Sequence, residues 1–461
     1  MAHEPLHAED DAVGRIWTAL GGAASWRDQL RVQGVGDLPS VFAVTDLAVA
    51  AAGCACLAVA ELVAERHGGR PDVSIDRRLA SFWFDTSLRP EGWALPPSRA
   101  PVTNDFRTAD GWIRLHTNAP RHLEAAMEIL GTPPEPDAVS RAVLRWTADA
   151  LEAAILAAGG CAATMRDAEA WAAHPQGRAV AAEKLLHRAQ AEHGPAVPWD
   201  VPRERPLRGV RVLDLTRILA GPVATRFLAG FGAEILRIDP PGWDEPAVEA
   251  DVTLGKRCAR LDLRRPGDRA IWEGLLQRAD VVVHGYRPGA LAGLGLGEEF
   301  RRELRPGLVD VSLDAYGWSG PWAGRRGFDS LVQMSSGIAD AGMRQLGRDR
   351  PAPLPVQALD HATGYLLAAA AVRGLTERLR SRAGTVVRAS LARTAALLME
   401  LPTAPQSPLA PLGSEDFDPV LEATAWGPAH RLKPPGLVAG APMSWDLPAR
   451  GLGAAAPAWL D

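Results

Sequence analysis

Leu207-Arg-Gly-Val-Arg-Val-Leu-Asp-Leu-Thr-Arg-Ile-Leu-Ala-Gly-Pro222 decides the fold. Val210 to Leu215 is a short β-rich run. Gly221-Pro222 then opens a helix, because proline suits the first helical position, where its missing N–H has no partner to lose. The helical pattern continues over Val223–Gly230, and Ala233–Ile238 reads as a second strand. Asp268–Arg278 predicts a helix, Val281–Val283 a strand and Leu308–Leu313 a further strand. Strands alternating with helices at this spacing predict an α/β fold built on a doubly wound, Rossmann-like parallel sheet. Such sheets take ligands beyond the carboxyl ends of their strands. Asp239 ends the second strand, where a ribose-binding carboxylate often sits. The turn Leu219-Ala-Gly-Pro-Val223 nevertheless holds a single glycine instead of G-x-G-x-x-G, which argues against a nicotinamide cofactor.

Upstream, Asp46–Arg66 reads as a long helix closed by Gly68-Gly69. Its apolar run, Leu47–Val63, is shorter than the about 20 residues a membrane span needs, so a buried helix is expected and no membrane contact. Pro71–Phe84 is expected to begin with a strand. Trp112–His116 predicts a strand, followed by a helix to Leu130, with two more helices around Gly159-Gly160. These make a smaller α+β domain. Pro195, Pro198, Pro202 and Pro206 mark a linker. The expected organisation is a partial region over 1–195, a linker over 196–206, a catalytic domain over 207–400 and a C-terminal segment over 401–461 that returns to the large domain. Residues 1 to about 40 carry no assignable pattern. Asp46, its Ala-rich helix, Gly68-Gly69 and Val73-Ser-Ile75 parallel Asp360, an Ala-rich helix, Gly384 and Ala389-Ser-Leu391, which predicts a partial internal duplication.

A chain of 461 residues is too long for one ordinary core and predicts two or three domains. A net charge of −5 gives no basic stripe for nucleic acid. The four cysteines, Cys54, Cys56, Cys161 and Cys258, lack zinc spacing. No metal is expected, and the cysteines together with the lack of a signal peptide predict a reducing cytoplasm.

The opening stretch resembles the N-terminal signature of family III CoA-transferases, which include formyl-CoA and carnitine-CoA transferases and α-methylacyl-CoA racemases. The resemblance continues in order through Gly232–Gly242, Lys256-Arg257 with Leu261-Asp-Leu263, Ala279–Gly289, Tyr316–Pro321 and Gly327–Gly337. Asp360 falls at the position of the family's catalytic aspartate. The resemblance implies covalent catalysis, with the Asp360 carboxylate attacking the thioester of an acyl-CoA. It also implies that Ile218, Leu219 and Ala220 lie along the pantetheine or adenine of CoA, that Leu261 packs on adenine and that Arg264 meets phosphate. Gly285, Tyr286 and Arg287 are then expected to line the thioester end.

Acyl-CoA and a carboxylic acid are the implied substrates, with no permanently bound cofactor. Family members form interlocked dimers, so either a homodimer or one chain carrying pieces of two protomers is expected, with Asp46 inert at the duplicate position. Gly255, His284 and Gly285 depart from the family pattern, and Phe328 stands where racemases carry a catalytic histidine. Two alternatives follow: a non-catalytic acyl-CoA-binding paralogue or subunit, and a racemase, isomerase or lyase on the same fold. Asp329 is expected to be structural, and His361 to point away from Asp360.

Overall fold

The computed structural model describes residues 8–195, 199–403 and 407–460. The large sheet has seven strands. From one edge they are Lys256–Arg260, Glu234–Asp239, Arg211–Leu215, Val281–His284, Val309–Asp314, Ala383–Ser390 and His187–His193. The first six are parallel and run in the doubly wound order, with the direction of winding reversing between Arg211–Leu215 and Val281–His284. Every residue of Val281–His284 and of Val309–Asp314 is buried, as expected for strands covered by helices on both faces. The parallel strands fall where the sequence pattern puts them, and Lys256–Arg260 adds one that the pattern does not single out.

The seventh strand, His187–His193, comes from the N-terminal half and pairs antiparallel with Ala383–Ser390. No alternation announces it: its seven residues include two histidines, an arginine, a glutamine and a glutamate. The halves are joined more intimately by two 24-residue helices, Val44–His67 and Ala358–Ser381, which pack on each other. The first is long and apolar enough to cross a bilayer by composition, yet 94% of its apolar window is buried inside the protein. Each helix begins two residues before an aspartate, Asp46 or Asp360. Each is followed by a strand whose last side chain, Asp76 or Ser390, caps the next helix.

A smaller α+β unit has the antiparallel strands Asp105–Arg107, Trp112–Leu115 and Ala162–Thr164, covered by helices Pro120–Leu130, Pro136–Val143 and Ala148–Ala157. Ile113, Leu115, Leu151 and Ile155 centre its core. The two helices expected around Gly159-Gly160 form as Ala148–Ala157 and Ala168–Ala173, and the strand Ala162–Thr164 lies between them, because the backbone leaving Gly160 pairs with Ile113–Leu115. Residues 8–40, unassigned from sequence, form the helix Ala8–Ala19 and the strand Leu30–Gln33.

The C-terminal segment bridges both halves. Gly427–Arg431 pairs with Leu88–Pro90, and Gly436–Val438 pairs with Val73–Asp76. Farther on, Ser444 and Ala455 donate backbone hydrogen bonds to Gly230 and Cys258 of the large domain. Part of the expected linker, 196–198, lies outside the described residues. The rest packs down: Val201 is buried, and Arg205 donates to Gly230 and Ser444 carbonyls.

Buried charges tie these pieces together. Arg226 of the large domain and Arg431 of the tail both meet Asp251, which also accepts from Ser87. Burial works against ionising Asp251, but the two guanidinium groups hold its carboxyl down to about 2. Between the long helices, Arg373 pairs with Glu61, both nearly inaccessible, and donates to the carbonyls of Leu20 and Gly21. Arg373→Ala leaves Glu61 buried with only a longer contact to Arg380, and the expected loss in urea unfolding is about 3 kcal/mol. A Glu61→Met, Arg373→Leu double variant is expected to recover most of that loss.

Candidate active site

The carboxyl ends of five parallel strands converge on one cavity of about 310 Å³. Leu215–Gly221 follows the strand at the winding reversal, Trp243 follows Glu234–Asp239, and Gly285, Tyr286 and Arg287 follow Val281–His284. Leu313, Asp314 and Ala315 close the next strand, and Leu391 follows Ala383–Ser390. The Asp360 carboxyl enters from the first turn of the helix Ala358–Ser381. A hollow of about 1130 Å³ lies elsewhere, between the N-terminal helix and Leu185–Arg188. It lies apart from the strand ends, and its Arg15 and Arg188 are taken by Asp11, Glu400 and Glu377.

The loop Thr216–Ala220 is held by buried polar groups beneath it. Lys256 Nζ donates to Asp214 Oδ2 at 3.1 Å and to the Pro222 carbonyl at 2.9 Å, which fixes both ends of the turn. Ile218 sits at φ +65°, a conformation costly for a β-branched residue. Its N–H donates to Glu245 Oε2 at 2.8 Å, and that carboxylate is itself fixed by Arg237 and the Trp243 indole. The strain therefore has a specific restraint. Leu219 and Ala220 begin the helix Ala220–Gly230 with no side-chain cap, so its first N–H groups remain available to an anion at the cavity. Arg217 forms a wall beside them, 4.7 Å from the Trp243 ring centre and donating to Tyr286 Oη at 3.0 Å.

Asp360 is 8% exposed, and its carboxylate has no hydrogen-bond partner among the described residues. The N-terminus it occupies is capped from outside the helix. Asp329 Oδ2 accepts the amides of Leu359 and Asp360 at 2.9 and 3.0 Å, and its other oxygen accepts from Gln333. This gives Asp329 a positioning role. Burial raises the Asp360 pKa well above that of an ordinary carboxyl, and the neighbouring Asp329 raises it further.

Of the residues expected at a CoA site, Ile218, Leu219, Ala220, Gly285, Tyr286 and Arg287 share the cavity with Asp360. Leu261 and Arg264 do not line it. Leu261 is buried in the core under the sheet, with Leu236 and Trp272. Arg264 is 77% exposed and held bidentately by Asp262 at 2.8 and 3.0 Å. Asp46 is also elsewhere, paired with Arg77 at 2.8 Å. His361 points away from the cavity, wholly buried and stacked on Phe84 at 5.3 Å. His284 turns from the cavity toward Asp310 and Arg301. Gly255 has φ +77°, and a Cβ there would meet Trp445 at 2.5 Å.

Several lining residues escaped the sequence reading, among them Arg325, Arg326, Asp314 and His122. Arg325 and Arg326 directly precede the Gly327-Phe-Asp motif and Asp314 precedes Ala315-Tyr-Gly, so adjacency could have found them. His122 arrives from the small unit and carries no local signal. It lies at 6.0 Å, edge to face, from Phe328, whose other neighbour, His116, stacks on it at 3.7 Å. Burial, with the charges of Arg326 and Arg121, lowers the His122 pKa to about 4, so its imidazole is neutral.

The raised pKa of buried Asp360 has a stability consequence. Its folded-state pKa lies above its unfolded one, so the penalty is absent below the unfolded pKa and grows as pH rises toward the folded pKa. Asp360→Asn is expected to raise the melting temperature at pH 8 by roughly 2 °C, the scale of about 1 kcal/mol in a large domain, and to change it little at pH 4. Differential scanning calorimetry at the two pH values checks this.

Residues 207–416 match the model of CoA-transferase family III. The chain is 31% identical over 304 residues to the acetyl-coenzyme A transferase nodX of Hypoxylon pulicicidum, covering 61% of this chain and 51% of that one. It is 33% identical over 202 residues to the succinyl-CoA:glutarate CoA-transferase of Mus musculus, covering 41% of this chain and 45% of that one. The chain thus spans about half the length of these curated relatives. The crystal structure of Rv3272 from M. tuberculosis aligns over 42% of this chain and 55% of its own, at 33% identity and a TM-score of 0.39. The segment that matches this family builds the doubly wound sheet and carries Asp360.

Proposed function

We propose that the protein moves CoA from an acyl-CoA thioester to a free carboxylic acid through covalent intermediates on Asp360. The observation that carries this reading is the Asp360 carboxyl itself: it opens onto the cavity at a helix N-terminus and has no partner among the described residues. In the first step its oxygen bonds to the thioester carbonyl carbon, the C–S bond breaks, and CoA leaves as thiolate. The thiolate then attacks the aspartyl carbonyl of the mixed anhydride, which releases the donor acid and leaves an aspartyl-CoA thioester. An acceptor carboxylate reverses both steps and departs as the new thioester. The uncapped N–H groups at Ala220 and Gly221 are suited to the oxyanions that form on the way. The names of the two relatives make acetyl-CoA and succinyl-CoA the first donors to test, with glutarate as acceptor.

A second reading, acyl-CoA binding without transfer, is favoured by one observation: burial and the neighbouring Asp329 both raise the Asp360 pKa, which works against the ionised form a nucleophile needs. The parallel between Asp46 and Asp360, each at the start of a 24-residue helix, further supports reading the N-terminal half as a partial second copy with an idle carboxylate.

Intact-protein mass spectrometry with each donor, and hydroxylamine as a trap, decides between transfer and binding. Transfer requires a wild-type adduct that maps to Asp360 and is absent in Asp360→Ala, together with a loss of at least about 10³-fold in turnover. No adduct with any donor, despite saturable CoA binding, establishes the second reading. Because the nucleophile must be ionised and its pKa is raised, the transfer rate is expected to climb with pH above the usual carboxylate range in a stopped assay.

A further inference from the structure

Asp314 ends the strand Val309–Asp314 and lines the same cavity as Asp360. It is 7% exposed. Its Oδ1 accepts the Gly317 amide at 2.9 Å, whereas its buried Oδ2 has no hydrogen-bond partner among the described residues. An orphaned buried polar atom is costly, and natural proteins keep few of them. No structural bond repays this one.

We propose that the Asp314 carboxyl donates a hydrogen bond to the carbonyl oxygen of the acyl group held at Asp360, and so distinguishes acyl-CoA from CoA. This rests on the reading of the cavity as an acyl-CoA site. Its surroundings favour a donor over an anion. Glu183, just after the helix Pro175–Ala182, is the charged neighbour that acts on it, and that carboxylate is already engaged by the amides of Trp318 and Ser319. Asp360 faces the cavity from its helix, and His122 from the small unit is neutral. Of the other arginines that line the cavity, Arg325 binds Glu152, Arg326 binds the Gly159 carbonyl, Arg217 donates to Tyr286 Oη, and Arg287 is exposed. Arg121 lies at the exposed end of the cavity.

Burial, with the Glu183 charge adding to it, raises the Asp314 pKa to about 8, so at neutral pH the carboxyl carries a proton. An acyl group brings only acceptor oxygens there. A protonated carboxyl kept neutral in a dry site is the type of group that can serve them.

The test uses the full chain with Asp360→Asn, so that no turnover intervenes, and calorimetry with acetyl-CoA and with CoA at pH 7. Asp314→Ala is expected to weaken acetyl-CoA binding about tenfold and leave CoA binding unchanged, while Asp314→Asn, which retains a donor, stays within about twofold of the parent. Above pH 8 the parent is expected to lose its preference for acetyl-CoA, and the Asp314→Asn variant to keep it. Equal weakening of both ligands, or no change in acetyl-CoA binding with Asp314→Ala, overturns the proposal. The outcome is independent of the transfer reading: a tenfold acetyl-CoA effect without any Asp360 adduct in the wild type sinks transfer and leaves Asp314 standing. An Asp360 adduct with no Asp314 effect does the reverse.

Discussion

The contact between the helices Val44–His67 and Ala358–Ser381 is the constraint on which the rest depends. Both are rich in alanine, so their backbones approach closely, and little side-chain entropy is lost on burial. Glycine extends the approach to the sheet layer. A Cβ at Gly364 would lie 2.5 Å from the Ala220 carbonyl, and one at Gly374 would lie 2.7 Å from Val309. The second helix is therefore pressed against both the Ala220–Gly230 helix and the sheet. Its first turn, with Asp360, has one place to go: the mouth of the cavity at the strand ends.

That placement sets the electrostatics. Asp329 and Asp360 are both buried, and a buried pair of carboxyls resists holding two charges. The hydrogen bonds around them are unequal. Asp329 accepts the Leu359 and Asp360 amides and the Gln333 side chain, all of which favour its anion. Asp360 accepts none among the described residues, so nothing offsets the burial that raises its pKa. The residue that orients Asp360 is also one that raises its pKa.

The sheet was legible because its strands are buried on both faces and therefore read as apolar runs, such as Val281–Val283, between helices with clear punctuation. Asp360 and the loops at Ile218–Ala220 and Gly285–Arg287 could be named because they lie beside ordered motifs on a contiguous segment. The strand His187–His193 was not legible: an edge strand needs only one buried flank, and its polar residues hide its period. Leu261 and Arg264 sit next to a recognisable motif, but the chain there points Leu261 into the core and leaves Arg264 closed on Asp262. Adjacency in sequence carried no information about direction.

His122 shows a different limit. It reaches the cavity from a unit linked to the large domain by the stacking of His116 on Phe328 and by the ion pair of Glu152 with Arg325. These are contacts between side chains about 200 residues apart in the chain, and no periodicity or spacing encodes them. They also determine the character of that wall. Phe328 stacks on His116 and meets the His122 ring edge to face, His122 Nε2 has the Cys161 thiol as its neighbour, and burial beside Arg326 keeps His122 uncharged. A neutral, weakly basic wall facing two carboxyl groups neither draws a proton from Asp360 nor pairs with its anion. Beside the arginines of the lining, the groups whose protonation sets the charge of the cavity are thus Asp329, Asp360 and Asp314.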